Sequence, residues 1–350
     1  MFPAQALAEE MLARGWRVTL ATDARGARYA GGFPKAVERR ATAAATFAQG
    51  GMAERMAAPF MIAAGTGQTL VAMRRDRPAV VAGFGGYPAL PAMVAAGMLK
   101  IPRLIHEQNG VLGRVNRRFA PKVEAVACGT WPTEMPAGAR GIPVGNPVRA
   151  AVLDRHGATY IEPGDWPMRL VVIGGSQGAG LFGRVVPEAL RLLEPGLRSR
   201  LRLSQQVRPE DMDRVRAVYE DLGMAPDLRG FFDDVPERLA EASLVISRAG
   251  ASSVADISVI GRPAILIPYA AATDDHQAAN ARGLVAAGGA FMIREADLTP
   301  EVLSGTIAAI LADAEGARAM ARASLGQGRP DATEHLAALV EDLAGKGPTT

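Results

Sequence analysis

Apolar residues in this chain recur at two spacings, and the spacings alternate. Short apolar runs of strand length are separated by stretches in which apolar positions return every three or four residues, as on one face of a helix. FPAQALAEEMLARG opens in helical register: Pro3 suits a first turn, Ala6, Leu7, Met11 and Leu12 share a face, and Gly15 stops it. WRVTLAT, AVVAGFGG, IPRLIHEQNG, VEAVACGT and GIPVGNPVR then read as strands, with ALPAMVAAGMLK as the helix after the second. From about Ala151 to Trp166 the pattern lapses, and HGATYIEPGDW reads as connecting or surface chain. RLVVIGGSQGAG, RLRLSQQV, DLRGFFDD, SLVISRAG and PAILIPYA resume the series with helices between them. DATEHLAALVEDLAG closes it as a helix with Asp331 or Thr333 as N-cap. Strands alternating with helices predict parallel sheets covered on both faces. Two such series joined near residue 150 predict an α/β protein of two doubly wound, Rossmann-like domains facing each other.

Composition narrows the partners. Two full cores can be built from 350 residues, 49% of them hydrophobic and 21% charged. The net charge is +3, carried mostly by arginine. That excess is too small to argue for nucleic acid. It suits a phosphate-bearing substrate or an anionic membrane surface, where guanidinium forks grip phosphate. Cys128, the only cysteine, stands at a strand end and reads as a packed thiol in a reducing compartment. No run is long and apolar enough to span a bilayer, and the first residues lack a signal peptide's regions. The four histidines are scattered without ligand spacing, so no metal is expected.

Ligands of open α/β sheets bind at the carboxyl ends of strands, so the polar residues just beyond each strand weigh most. VVIGGSQGAG is a strand, a glycine turn and a helix start, an arrangement that suits phosphate, with Ser176 as an added donor. The same spacing matches the G-x-S-x-G elbow of α/β-hydrolases, with His276 or His335 as base and Asp256 or Asp274 as orienter. IHEQNG ends a strand in His106, Glu107, Gln108 and Asn109, four polar groups costly to leave unpaired. GNPVR brings Asn146 and Arg149 to the junction of the two halves. In VISRAGASSVADI, Asp256 can accept from ribose hydroxyls, although taken alone it reads as a solvated helix charge. In YAAATDDHQAANARGL, Gln277 can both donate and accept, which fits sugar hydroxyls. Met52 to Arg77 sets Met56, Phe60, Met61 and Ile62 near Arg55, Arg74, Arg75 and Arg77, a pattern fitting either interfacial docking or a core helix with a basic end.

GFGGYP, IHEQNG, VGNPVR, IGGSQGA, FFDDV, SRAGASSVADI, DDHQAANA and PDATEHL run in this order across nearly the whole chain. Together they resemble the MurG family, peptidoglycan transferases that convert lipid I to lipid II. The resemblance implies a GT-B fold with the site in the cleft: residues 1–147 plus 329–346 as an acceptor and membrane domain, and 148–328 as the UDP-GlcNAc-binding domain. It implies inverting transfer of GlcNAc from UDP-GlcNAc to undecaprenyl-diphospho-muramylpentapeptide, on the cytoplasmic face of the inner membrane, in cell-wall synthesis, and without a cofactor. Carried over by position, Asn109 and Arg149 resemble donor-site residues, Ser176 the contact to the UDP phosphates, Phe232 the uracil contact and Gln277 the reader of the GlcNAc hydroxyls. Another GT-B enzyme using a different UDP-sugar and a non-catalytic sugar-nucleotide binder are the remaining alternatives.

Two departures qualify the match. The family usually has glutamate at Asp256, one methylene longer. It also has a strand and a glycine-rich loop, GGTGGH, immediately before FPA, where this chain has Met1. The expectation is an internal methionine taken as the start, or a truncation, with the loop's histidine base missing and Glu107 and His106 the base candidates that remain. A sheet without that strand is expected to leave backbone groups unpaired, at roughly 1–3 kcal/mol each, in a poorly stable and weakly active chain.

Overall fold

The computed structural model describes residues 2–23, 26–27, 30–42 and 52–345, without the side chains of 52–59 and 175–179. The chain divides into two compact units, Met1–Arg149 with Asp331–Thr350, and Ala150–Pro330.

The first unit opens with helix α1 (Phe2–Ala13), closed by Gly15 in the left-handed region at φ 81°. Strand β1 (Thr19–Thr22) pairs in parallel with β2 (Glu38–Ala41). After α2 (Met52–Arg75), a separate parallel sheet runs β3 (Val81–Gly83), β4 (Arg103–Glu107), β5 (Ala125–Cys128) and β6 (Gly141–Pro143) in that order. Helices α3 (Leu90–Met98) and α4 (Arg114–Phe119) cover it on one face. The last helix, α14 (Ala332–Leu343), packs Leu336, Ala337 and Val340 against Leu7 and Met11 of α1. Arg14 donates to Glu341 at 2.8 Å and the Trp16 indole to the same carboxylate at 3.1 Å. Asp331 holds the N-cap position, but its side chain makes no capping bond and lies 3.3 Å from His335 instead; Thr333 is inside the helix.

The second unit contains α5 (Ala150–Leu153), β7 (Met168–Ile173), α6 (Gly175–Arg191), α7 (Pro195–Ser199), β8 (Leu201–Gln206), α8 (Met212–Asp221), β9 (Asp227–Arg229), α9 (Val235–Glu241), β10 (Leu244–Ser247), α10 (Ala251–Ile260), β11 (Ala264–Leu266), α11 (His276–Ala286), β12 (Ala290–Met292), α12 (Pro300–Ala312) and α13 (Ala314–Gln327). Its six strands are all parallel in the order β12-β11-β10-β7-β8-β9. The order reverses direction between β7 and β10, the switch point where such sheets bind ligands. β10 is buried along its whole length, as the continuous apolar run LVI predicts.

Sequence reading missed two strands. β2 reads ERRA, a charged edge with no apolar run, and β12 is three residues long. The aperiodic 156–166 stretch does carry structure-holding contacts. Arg262, 1% exposed, donates to the carbonyls of Ala158 (2.9 Å), Thr159 (3.2 Å), Leu239 (2.9 Å), Gly261 (3.0 Å) and Ala240. Those of Leu239 and Ala240 belong to the last turn of α9, and Gly261 caps α10, so the cation sits at the negative ends of two helices. Burial pushes its pKa down to about 10. Replacing Arg262 with Met should therefore destabilise this unit by about 3 kcal/mol or more, because several buried acceptors lose a charged donor together. Urea unfolding followed at Trp166, with Trp16 and Trp131 replaced by Phe, checks this; an unmoved midpoint would contradict it.

Candidate functional site

In the first unit, register aligns the carboxyl ends of three strands: Glu107 lies opposite Cys128, and Cys128 opposite Pro143. The loops that leave them are stitched together. Gly129 N–H donates to the Glu107 carbonyl at 2.7 Å, and Asn146 Nδ2 and Thr130 Oγ1 both donate to the Gln108 carbonyl at 2.9 Å. A Cβ at position 129 would stand 2.1 Å from Asn146 Oδ1, so a larger residue there would displace the Asn146 side chain. That oxygen is itself buried with no hydrogen-bond partner.

Alternation along β4 sends His106 and Glu107 to opposite faces. His106 is 2% exposed, tilted against Phe84 with ring centroids 5.6 Å apart, and its Nε2 lies 3.4 Å from the Gly145 carbonyl. Burial lowers its pKa to about 4, so the ring is neutral at pH 7. Glu107 is 4% exposed. One carboxylate oxygen accepts from Asn109 N (3.1 Å) and Nδ2 (3.2 Å), the other from Gly113 N (2.9 Å) and Asn116 Nδ2 (2.8 Å). Four donors saturate the carboxylate and fold the 108–113 loop around it. Asn109 is half-buried on that loop, and Arg149 is exposed at the end of the unit. Burial pushes the Cys128 thiol up to about 11, consistent with a packed and unreactive side chain.

In the second unit, Ile173, Ser247 and Leu266 are in register across β7, β10 and β11. The segments leaving these ends therefore start side by side, and they carry Ser176, Asp256 and Gln277. Ser176 lies in the first turn of α6 with helical backbone; its side chain is outside the described residues. Asp256 is buried at 9% exposure in α10. It is not the solvated helix charge that its sequence setting suggests. Gln277 is half-buried in the first turn of α11, and its Oε1 accepts from Tyr269 N–H at 3.0 Å.

Phe232 follows β9. The residue is 2% exposed, with its ring under the Arg238 guanidinium, 4.1 Å from the ring centroid. Arg238 also donates to Asp234 (2.8 Å), Asp227 (2.7 Å) and Ser204 (2.8 Å), and its hydrogen bond holds the Asp234 carboxyl below the usual range. Sequence reading missed Arg238, whose partners are scattered along the chain. It also passed over Arg248, whose signal was a charge directly after an apolar strand. Arg248 is 6% exposed.

Neither histidine of the hydrolase arrangement is paired with its candidate orienter, Asp256 or Asp274, among the described contacts, and the Ser176 side chain lies outside the described residues. His276 Nδ1 contacts the Thr273 carbonyl at 2.8 Å and not a carboxylate, while His335 belongs to the other unit beside Asp331. No group of three or more His, Cys, Asp or Glu side chains there is placed to hold a metal.

The sequence matches the glycosyltransferase family 28 N-terminal domain over residues 1–128 and the family 28 C-terminal domain over 169–336. A UDP-N-acetylglucosamine–N-acetylmuramyl-(pentapeptide) pyrophosphoryl-undecaprenol N-acetylglucosamine transferase of Chelativorans is 47% identical over 346 residues, which cover 98% of this chain and 92% of the relative. The Rhodospirillum rubrum protein of the same name is 45% identical over 98% of this chain and 89% of its own length. Among solved structures, Acinetobacter baumannii MurG superposes with a TM-score of 0.80 at 28% identity, over 97% of this chain and 95% of that one. The two α/β units thus form a GT-B fold.

The buried neutral His106 generates a pH dependence. Its folded pKa, about 4, lies below the ordinary 6.5. Between those values the unfolded chain binds a proton that the folded chain refuses. Stability present above pH 6.5 is therefore lost as pH falls towards 4, by about 3 kcal/mol in full. Melting curves of wild type and His106→Gln between pH 7 and 4 check this; the wild type should lose more, and parallel curves would contradict it.

Proposed function

The chain belongs to glycosyltransferase family 28, among its MurG-type GlcNAc transferases, and from that premise we propose that it transfers GlcNAc from UDP-GlcNAc to lipid I, with inversion, forming lipid II. The observation that carries the reading is near-full-length identity to transferases of that name, joined to the register that starts the candidate nucleotide-sugar residues side by side in the second unit.

Each residue then has a physical task. The first turn of α6 offers free N–H groups and the positive end of a helix dipole to the departing diphosphate, with Ser176 as a further donor. Arg149, next in chain to the second unit, is the candidate cation for the same charge. Phe232 is assigned to the uracil, Asp256 to the ribose hydroxyls and Gln277 to the sugar. In the first unit, which we assign to the acceptor, Asn109 is held by Glu107. We assign Glu107 to shaping that loop and His106 to packing beside Phe84 and Gly145, and neither to proton transfer, because the carboxylate is saturated with donors and the ring is sealed from water.

We assign the membrane contact to α2 and α3. Ile62, Thr66, Leu70, Val94 and Met98 line an apolar groove of about 610 Å³, with Phe60 and Met98 79% and 63% exposed. Arg74 and Arg75 stand exposed in the last turn of α2. Apolar side chains beside guanidinium groups suit an anionic leaflet, and an undecaprenyl-linked acceptor would place the enzyme on the inner face of the cytoplasmic membrane. No helix of the described residues is long and apolar enough to cross a membrane.

Incubation with labelled UDP-GlcNAc and a lipid I analogue should yield the disaccharide product and UDP. Ser176→Ala should lower kcat/KM roughly 10- to 100-fold, the worth of one hydrogen bond to a charged group. Binding without transfer would leave only a sugar-nucleotide binder, and labelling of Ser176 by a fluorophosphonate would revive the hydrolase. Reversing both Arg74 and Arg75 to Glu should weaken binding to anionic vesicles at least tenfold; unchanged binding would remove the membrane assignment.

A further inference from the structure

The segment between β11 and α11 is held by a pair of charges that is not among the candidate substrate contacts. Arg248 follows β10 and Glu295 follows β12, and they meet at 2.5 Å with side chains only 7% and 24% exposed. The Arg248 guanidinium donates to the carbonyls of Ile267 (3.2 Å) and Pro268 (3.3 Å) and lies 5.4 Å from the Tyr269 ring centroid. The same Glu295 oxygen that meets Arg248 accepts from Ala270 N–H at 3.1 Å. The pair thus grips residues 267–270 from two strand ends at once.

Gln277 hangs from that segment. Tyr269 N–H can only donate, so the Gln277 atom it meets at 3.0 Å is the amide oxygen. With its oxygen engaged, Gln277 offers its NH2 group to whatever else it touches. Helix α11 is tied to the same support, since Asn280 Nδ2 donates to the carbonyl of Ala249, the neighbour of Arg248, at 3.0 Å.

We propose that Glu295, paired with Arg248, is a positioning residue for the sugar half of the nucleotide sugar: it fixes the segment that turns the Gln277 carboxamide, so that an N–H donor and not an acceptor faces the hexose hydroxyls. The inference rests on the reading that this unit binds UDP-GlcNAc. It places the influence of Glu295, which follows β12, on the hexose and not on the uridine diphosphate, whose candidate contacts lie on the segments after β7, β9 and β10. Loss of Glu295 frees Ala270 N–H, loosens the segment and lets the carboxamide turn.

Calorimetric titration of the full chain with UDP-GlcNAc and with UDP separates the two halves of the ligand. Glu295→Ala should weaken UDP-GlcNAc at least tenfold and UDP less than twofold. Glu295→Gln, which keeps an oxygen for Ala270 N–H, should recover most of the loss and serves if the Ala variant does not fold. Unchanged UDP-GlcNAc affinity in a folded variant, or equal weakening of both ligands, would overturn the positioning role. A wild type that binds neither ligand would overturn the UDP-GlcNAc reading itself, and this inference with it.

Discussion

A parallel strand buried on both faces can stay apolar only until its carboxyl end, where the chain must turn and its backbone and polar side chains must find partners. That constraint places everything of chemical interest in this protein. β4 runs from Leu104 into His106 and Glu107 without leaving the core, and the two polar groups are satisfied by a carbonyl and by four N–H donors. β10 runs into Ser247 and Arg248 in the same way, and the guanidinium is met by two carbonyls and a carboxylate. Register then brings neighbouring strand ends level, so residues far apart in sequence emerge together.

Three guanidinium groups, two buried and that of Arg238 half-buried, fix the loops of the second unit, each by a different balance. Arg262 donates to carbonyls and lies 5.6 Å from the Tyr160 ring centroid, and the negative ends of two helices offset its desolvation. Arg238 has two carboxylates and an aromatic face, and it pins the turn that carries Phe232. Arg248 shares its charge with Glu295 and holds the turn below Gln277. Arginine suits all three because a planar fork with five donors can satisfy several acceptors at fixed angles. A lysine would reach the same places with one charged point and leave acceptors unpaired.

Periodicity made much of the fold legible, since continuous apolar runs such as LVVI and LVIS have no other stable use in a chain of alternating helices. It failed at ERRA, whose strand lies on an exposed edge where nothing demands apolar side chains, and at the short β12. Candidate site residues were legible where a motif marks a strand end, as with Asn109, Ser176 and Gln277. Their supports were not. Nothing local in the sequence couples Arg238 to Ser204, 34 residues away, or Glu295 to Ala270, 25 residues away, because those contacts exist only once the sheet is assembled. Asp256 shows the converse: its helix position suggests solvent, and only the packed unit reveals that the residue is largely buried, at 9% exposure.

The central claim is that the carboxyl ends of β7, β10 and β11 form the nucleotide-sugar site, with the diphosphate at the first turn of α6. A crystal structure of the chain with UDP-GlcNAc tests it most directly. The account predicts the diphosphate against the backbone N–H groups around Ser176, the ribose at Asp256 and the hexose within reach of the Gln277 amide nitrogen. Nucleotide bound at the amino ends of these strands, or on the first unit alone, would contradict it.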